Sequence, residues 1–381
     1  MKLERMKIAI IGCALDKYVG DSPGDSEEMG FRVVKRAREM SGIEREEITS
    51  VHNSTMDFFD GITISNGILA PAAGGYNRDS TRIQNGGLFG ILSACASIMS
   101  GDSEIAVVSS ADSVVYDMLK VTQASTHYFL ERPLGLNHVM AYAMFSNAYM
   151  EKYGIEERDI AEVAAKNYTA GSMNKYAHIK DDYSIDDVMD SSMISYPLKS
   201  REVALMQSYG GAALILTSEE KAKKYTDSPI WITGLGVSTN SVNFEALTEM
   251  SALKLASGYA YKMAGIKNPG KEIGTAEINS PFSLFELAAY EAMGLCEEGK
   301  SIKLLRDGVT SIDGELPVNP SGGTLCTNAP NSNGLFRSVQ AVMYLNKGKG
   351  NGRGKALVHD SDMSIGLAGD SHAIMILEKE G

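Results

Sequence analysis

The sequence predicts an α/β protein built from two duplicated halves, with a mostly helical segment inserted in the first. Three observations carry that prediction. Gly87-Leu88-Phe89 recurs as Gly334-Leu335-Phe336, and Ala94 and Ala341 match at the same offset. Further pairs follow in the same chain order. Ile8–Gly12 resembles Ile230–Gly234, the helix ending at Met40–Ile43 resembles that ending at Ala292–Leu295, and Ala212–Leu216 resembles Ala373–Leu377. The stretch from about 114 to 205 has no counterpart and is richer in Met, Tyr, His and Asp. The expected organisation is therefore 1–113 with 206–228 as one half, 114–205 as the insertion, and 229–381 as the other half.

Each element has a local reason. Residues 1–7 lack the apolar segment of a signal peptide, so Ile8–Gly12 reads as a first strand. A helix is expected over 85–100, unusual in its small residues. Gly90, Ala94 and Ser97 lie on one stripe, which lets another backbone approach closely, and Gly101 would terminate the helix. Isolated glycines cost a helix about 1 kcal/mol each relative to alanine, so packing must hold this one. Its N-terminus, preceded by Arg82-Ile83-Gln84, is a place where backbone N–H groups and the macrodipole favour an anion. Glu104–Ser110 and Lys355–His359 read as the strands that follow the repeated helices. Continuous apolar strands alternating with helices predict mixed sheets covered on both faces. The glycine-rich run 346–354 lacks the phosphate-loop spacing and reads as a surface turn.

Composition narrows the function. The chain has 381 residues, 44% hydrophobic and 22% charged, enough for a large core. Lys plus Arg minus Asp plus Glu is 36 − 48 = −12, which argues against a duplex nucleic-acid binder. No apolar run approaches the roughly 18–20 residues of a membrane span. Cys13, Cys95, Cys296 and Cys326 are scattered, without metal spacing, and read as reduced thiols of a cytoplasmic protein with no bound metal.

Several segments together resemble the thiolase superfamily, in its acetyl-CoA acetyltransferase and lipid-transfer-type thiolase branch. They are Val163–Asn167, Asn174–Ala177, Tyr196–Leu198, Gly210–Leu216, Asn319-Pro-Ser-Gly-Gly323 and Ser364–Gly369. The resemblance covers essentially the whole chain and implies a five-layered αβαβα fold that handles coenzyme A thioesters. It implies a twofold dimer, and partners in a heteromeric assembly: a catalytic thiolase-like chain and a small zinc-binding protein.

Family chemistry needs a cysteine nucleophile, a histidine, a second cysteine and an oxyanion-hole amide. Carried over position by position, the nucleophile falls on Gln84, the histidine on Ala329 and the second cysteine on Gly366. The amide alone remains, as Asn279. Gly369 would line the coenzyme A pocket with Gly366. Cys326, three residues before Ala329, is a substitute nucleophile to be weighed against a small apolar residue under a loop, the commoner state of a free cysteine. His372, beside the last loop, is a substitute base to be weighed against a solvated or backbone-satisfied histidine. His127 and His138, in the insertion, are not expected to be catalytic. Three functions stay open: a non-catalytic subunit of a thiolase-like complex, an enzyme of altered thioester chemistry such as decarboxylation, and an acyltransferase using Cys326 or His372.

Overall fold

The computed structural model describes residues 7–22, 24–57, 63–114, 117, 126, 128, 129, 131–240, 247–349, 352–361 and 371–379. Eleven strands are formed among them: β1 (Ile8–Leu15), β2 (Ser50–Ser54), β3 (Asp79–Ile83), β4 (Ile105–Asp112), β5 (Met193–Ser195), β6 (Leu198–Lys199), β7 (Gly210–Ser218), β8 (Ile230–Thr239), β9 (Thr275–Ile278), β10 (Lys355–Ser361) and β11 (Ser371–Lys379). Nine make one sheet, in the order β3-β2-β4-β7-β1-β8-β11-β10-β9, and β5 and β6 pair separately.

The sheet is symmetric about its centre. The seam is short, Ile8–Ile10 of β1 running antiparallel to Ile230–Ile232 of β8. Outward from the seam, β1, β7, β4, β2 and β3 repeat the pairing of β8, β11, β10 and β9: two antiparallel steps, then parallel ones. A parallel bridge between Ala276 and Val318 stands where the first half has β3.

The helices among the described residues are α1 (Ser26–Ser41), α2 (Asn66–Ala72), α3 (Gly87–Ser100), α4 (His138–Tyr153), α5 (Glu157–Met173), α6 (Ile185–Met189), α7 (Glu219–Ala222), α8 (Ser251–Ala264), α9 (Pro269–Glu272), α10 (Ser283–Ala292), α11 (Ser301–Arg306), α12 (Gly323–Cys326) and α13 (Asn333–Asn346). Strand alternation sorts them into layers. Ile8 and Ile10 of β1 join Leu88, Ile91, Leu335 and Phe336 in a central cluster, to which β11 adds Met375 and Leu377. Ala9 and Ile11 face the other way, onto Val33, Val34 and Ala37 of α1. In the second half Leu357, Ile374 and Ile376 face α8 and α10. Thus α3 and α13 lie between the two halves of the sheet, with α1 outside one half and α8 and α10 outside the other.

Two expectations change. The counterpart of α1 is α8, which ends at Ala264-Gly265, not the helix ending at Ala292. The close contacts decide this: a Cβ on Gly12 would lie 2.4 Å from the Ala37 carbonyl of α1, and one on Gly234 2.3 Å from the Ala260 carbonyl of α8. Both helices end in a left-handed glycine, Gly42 at φ 69° and Gly265 at φ 74°. Cys13 lies inside β1, not after it, because β1 runs to Leu15. Between β4 and β7 the described chain forms α4, α5, α6 and the β5–β6 hairpin. No described helix is long and apolar enough to cross a membrane.

Candidate functional site

The two central helices meet at their N-termini. A Cβ on Gly87 would lie 2.4 Å from the Leu335 amide nitrogen, and one on Gly334 2.6 Å from that of Leu88. The repeated glycine is thus the point where two backbones touch. Helix α3 is preceded at its N-cap by Gly86, which offers no side chain to cap it. The cap comes from the other half: the Leu88 N–H donates to Oδ2 of Asp360, at the end of β10, over 3.1 Å. Glycine at 86 and 334 admits this carboxylate, since a Cβ at either would lie 2.4 and 2.0 Å from Oδ2.

From Asp360 a directed chain of hydrogen bonds runs back into α13. Asn279 Nδ2 donates to Asp360 Oδ1 (3.0 Å), and the Ser361 N–H donates to the same oxygen (3.1 Å). The Thr324 hydroxyl donates to Asn279 Oδ1 (2.9 Å) and accepts from the fully buried Arg337 Nη2 (2.7 Å) and from the Ser280 N–H (2.9 Å). Arg337 also donates to the carbonyls of Asn333 (2.9 Å) and Ile278 (3.3 Å). These partners fix the orientation of the Asn279 amide. Burial raises the Asp360 carboxyl to about 6 against the Leu88 and Ser361 N–H groups, Arg337 and Asn279, which lower it. Burial likewise raises Glu277 to about 7, although it accepts from the Ser321 hydroxyl (2.6 Å).

The expected site residues separate. Gln84 lies exposed in the bend between β3 and α3, and Arg82 and Ile83 belong to β3. Asn279 is in the network just described. Ala329 is buried beside the start of α13, where its N–H donates to Asn333 Oδ1 (3.0 Å). Gly366 and Gly369 lie outside the described residues, as does His127. Cys326 points away from Asn279: its thiol contacts the Asn167 carbonyl at 3.4 Å, under α5, and a Cβ on Gly171 would lie 2.4 Å from its sulfur. Burial pushes that thiol up to about 12, so it holds little thiolate near neutral pH.

His372 is on the wrong face of the sheet to serve Asn279. It shares the outer face with His359, whose Nε2 is 3.0 Å from His372 Nδ1, and Phe285 of α10 stacks on both rings at 5.9 and 6.4 Å. Burial holds the His359 imidazole well below its usual range. Asp360, one residue on, faces the helix N-termini because strand side chains alternate.

Asp360, Thr324, Arg337 and His359 escaped the sequence reading. The duplication offered a signal for the first. Ser110 opposes Ala212 on β7 as Asp360 opposes Ala373 on β11, so an aspartate stands where the first half has serine. Ser110 donates to the Ser332 hydroxyl (2.9 Å) at the start of α13, the mirror of the Asp360 contact with α3.

Residues 235–379 match the family described as Thiolase C-terminal domain-like. The chain is 26% identical to an acetyl-CoA acetyltransferase of Methanothermobacter thermautotrophicus, over 98% of this chain and 99% of that one. The chain is thus similar to thiolase-superfamily proteins over nearly its whole length. Another thiolase relative is the benzoylsuccinyl-CoA thiolase subunit BbsB of Thauera aromatica, 26% identical over 87% of this chain and 86% of its own. Among solved structures, an Ltp2–ChsH2(DUF35) aldolase superposes with a TM-score of 0.81 at 24% identity, covering 98% of this chain and 97% of that one. The thiolase fold is thus shared throughout. Among the described residues no group of three or more His, Cys, Asp or Glu is arranged to hold a metal ion.

Proposed function

We propose that this thiolase-like chain binds acyl-coenzyme A thioesters as a non-catalytic or modified subunit of a heteromeric, cytoplasmic assembly. The observation that carries the reading is the state of its thiols. Burial, the largest cause in each case, pushes Cys13, Cys95, Cys296 and Cys326 all up to about 12, and Gln84 stands in the bend before α3. A thiolase forms its acyl-enzyme on a thiolate, and none of the four supplies one near neutral pH. Two relatives support an assembly: one is named as a subunit of a thiolase, and the other is solved as an aldolase with a DUF35 chain. On this reading 1–113 with 206–228 and 229–381 form the two halves, and 114–205 the insertion. A twofold dimer would bring in a catalytic thiolase-like chain, with a small zinc-binding protein as a further partner.

Co-purification from the native source, followed by a thiolysis assay of the captured complex and of the isolated chain, tests the proposal. A second thiolase-like chain bearing the cysteine and histidine, and activity only in the complex, is the expected result. Turnover of an acyl-coenzyme A by the isolated chain would overturn it. A second reading, favoured by the aldolase named above, is altered chemistry beside a thioester without an acyl-enzyme. Release of CO2 from malonyl-coenzyme A by the isolated chain would select that reading.

A further inference from the structure

We infer that Asp360 is a specificity-determining residue that bars an oxyanion from Asn279, so that the site accepts a thioester in its neutral carbonyl form only. The inference rests on the proposal that the chain binds acyl-coenzyme A, and on the thioester or its keto group meeting Asn279, the position that the family resemblance implies for the oxyanion-hole amide. Asn279 Nδ2 carries two hydrogens, and one is given to Asp360 over 3.0 Å. A ligand oxygen accepting the other would lie about 5 Å from the carboxylate, from two hydrogen bonds at the ordinary amide angle. The carboxylate itself has no alternative place. Its Oδ2 is held by the Leu88 N–H, its Oδ1 also by the Ser361 N–H, and it fills the space left by Gly86 and Gly334.

A helix N-terminus stabilises one negative charge readily, and here that of α3 is given to Asp360. A second negative charge on the ligand would meet the first in a buried setting, where screening by water is weak. An oxyanion hole does the reverse, directing donors at a place without competing charge. The first half shows the alternative arrangement. Ser110, in the register position of Asp360, serves the start of α13 with a neutral hydroxyl.

Acetoacetyl-coenzyme A is a direct probe. Loss of its central C–H proton to solvent leaves an enolate whose charge sits on the two carbonyl oxygens, and the enolate absorbs in the near ultraviolet where the neutral form does not. Binding is measured by calorimetry and the enolate by absorbance, both at pH 7.5, for the full chain and for Asp360→Ser and Asp360→Asn. The serine variant copies a residue that the fold already accepts in the equivalent place; the asparagine variant keeps the shape. The unaltered chain is expected to bind with no rise in enolate. Either variant is expected to raise the bound enolate fraction at least about tenfold, the effect of removing a like charge at this range. A rise in enolate on binding to the unaltered chain, or variants that bind without such a rise, would overturn the inference. Absence of binding in all three proteins would overturn the proposed function, and this inference with it.

Discussion

The crossing of α3 and α13 gives a sharp quantitative prediction. A Cβ on Gly87 would lie 2.4 Å from the Leu335 amide nitrogen and 2.5 Å from its Cβ, where ordinary contact begins at 3.4 Å. The two backbones would have to part by about 1 Å along a fully buried crossing, and overpacking of this kind costs about 1–3 kcal/mol. Gly334→Ala is more crowded still, with Asp360 Oδ2 at 2.0 Å and the Leu88 nitrogen at 2.6 Å. The helix preference of alanine, at most about 1 kcal/mol, offsets part of this. The net expectation is a loss of about 2 kcal/mol for each variant. Gly258→Ala, on the exposed side of α8 with no atom within 4 Å, is the control. It keeps the propensity gain without the collision and should stabilise by up to about 1 kcal/mol. Urea unfolding followed by circular dichroism measures all three. Unfolding free energies for Gly87→Ala and Gly334→Ala within about 0.5 kcal/mol of the unaltered chain, the range of a harmless surface change, would refute the backbone-contact argument.

Three further predictions concern buried polar groups. Glu277, raised to about 7 mainly by burial, holds its proton in the folded state to a higher pH than in the unfolded chain, whose value is near 4.5. Its stabilising contribution is therefore complete below about pH 4.5 and lost as pH rises through about 7, some 3 kcal/mol in all. Glu277→Gln should flatten that fall, and parallel pH–stability curves for the two proteins would count against it. Thr324→Val removes both the donor to Asn279 and the acceptor for Arg337, so urea unfolding should show a loss of about 3 kcal/mol. An unchanged midpoint would show that the relay is not formed. Iodoacetamide at pH 7.5 should label no cysteine of the native protein, because all four thiols are raised to about 12, and four after unfolding in urea. Mass spectrometry of the native protein with Cys326 alkylated would contradict this.

Much of the fold was legible because its signals are local. Apolar runs gave the strands, Gly101 closes α3 at φ 84°, and the repeated Gly-Leu-Phe marked the duplicated helices. The match of α1 to the helix ending at Ala292 failed because several helices of this chain carry a glycine after the last turn. Only the contacts of Gly12 and Gly234 tell which helix covers which strand. The site was less legible. Positions inherited from a family included Asn279, which lies in the network around Asp360, and also Cys326 and His372, which lie under α5 and on the outer face of β11.

By itself, then, the sequence determined the strands, the helices and their doubling, because hydrophobic period and helix-terminating glycines act within a few residues. It also determined that no cysteine stands at the start of α3, since residue identity at a position needs no partner. Tertiary structure alone decided what surrounds the start of α3. Leu88 and Asp360 are 272 residues apart, and the carboxylate reaches the start of α3 only because the second half of the sheet brings β10 across it. The parity of β10 then turns Asp360 inward and His359 outward, a choice set by register and not by residue type.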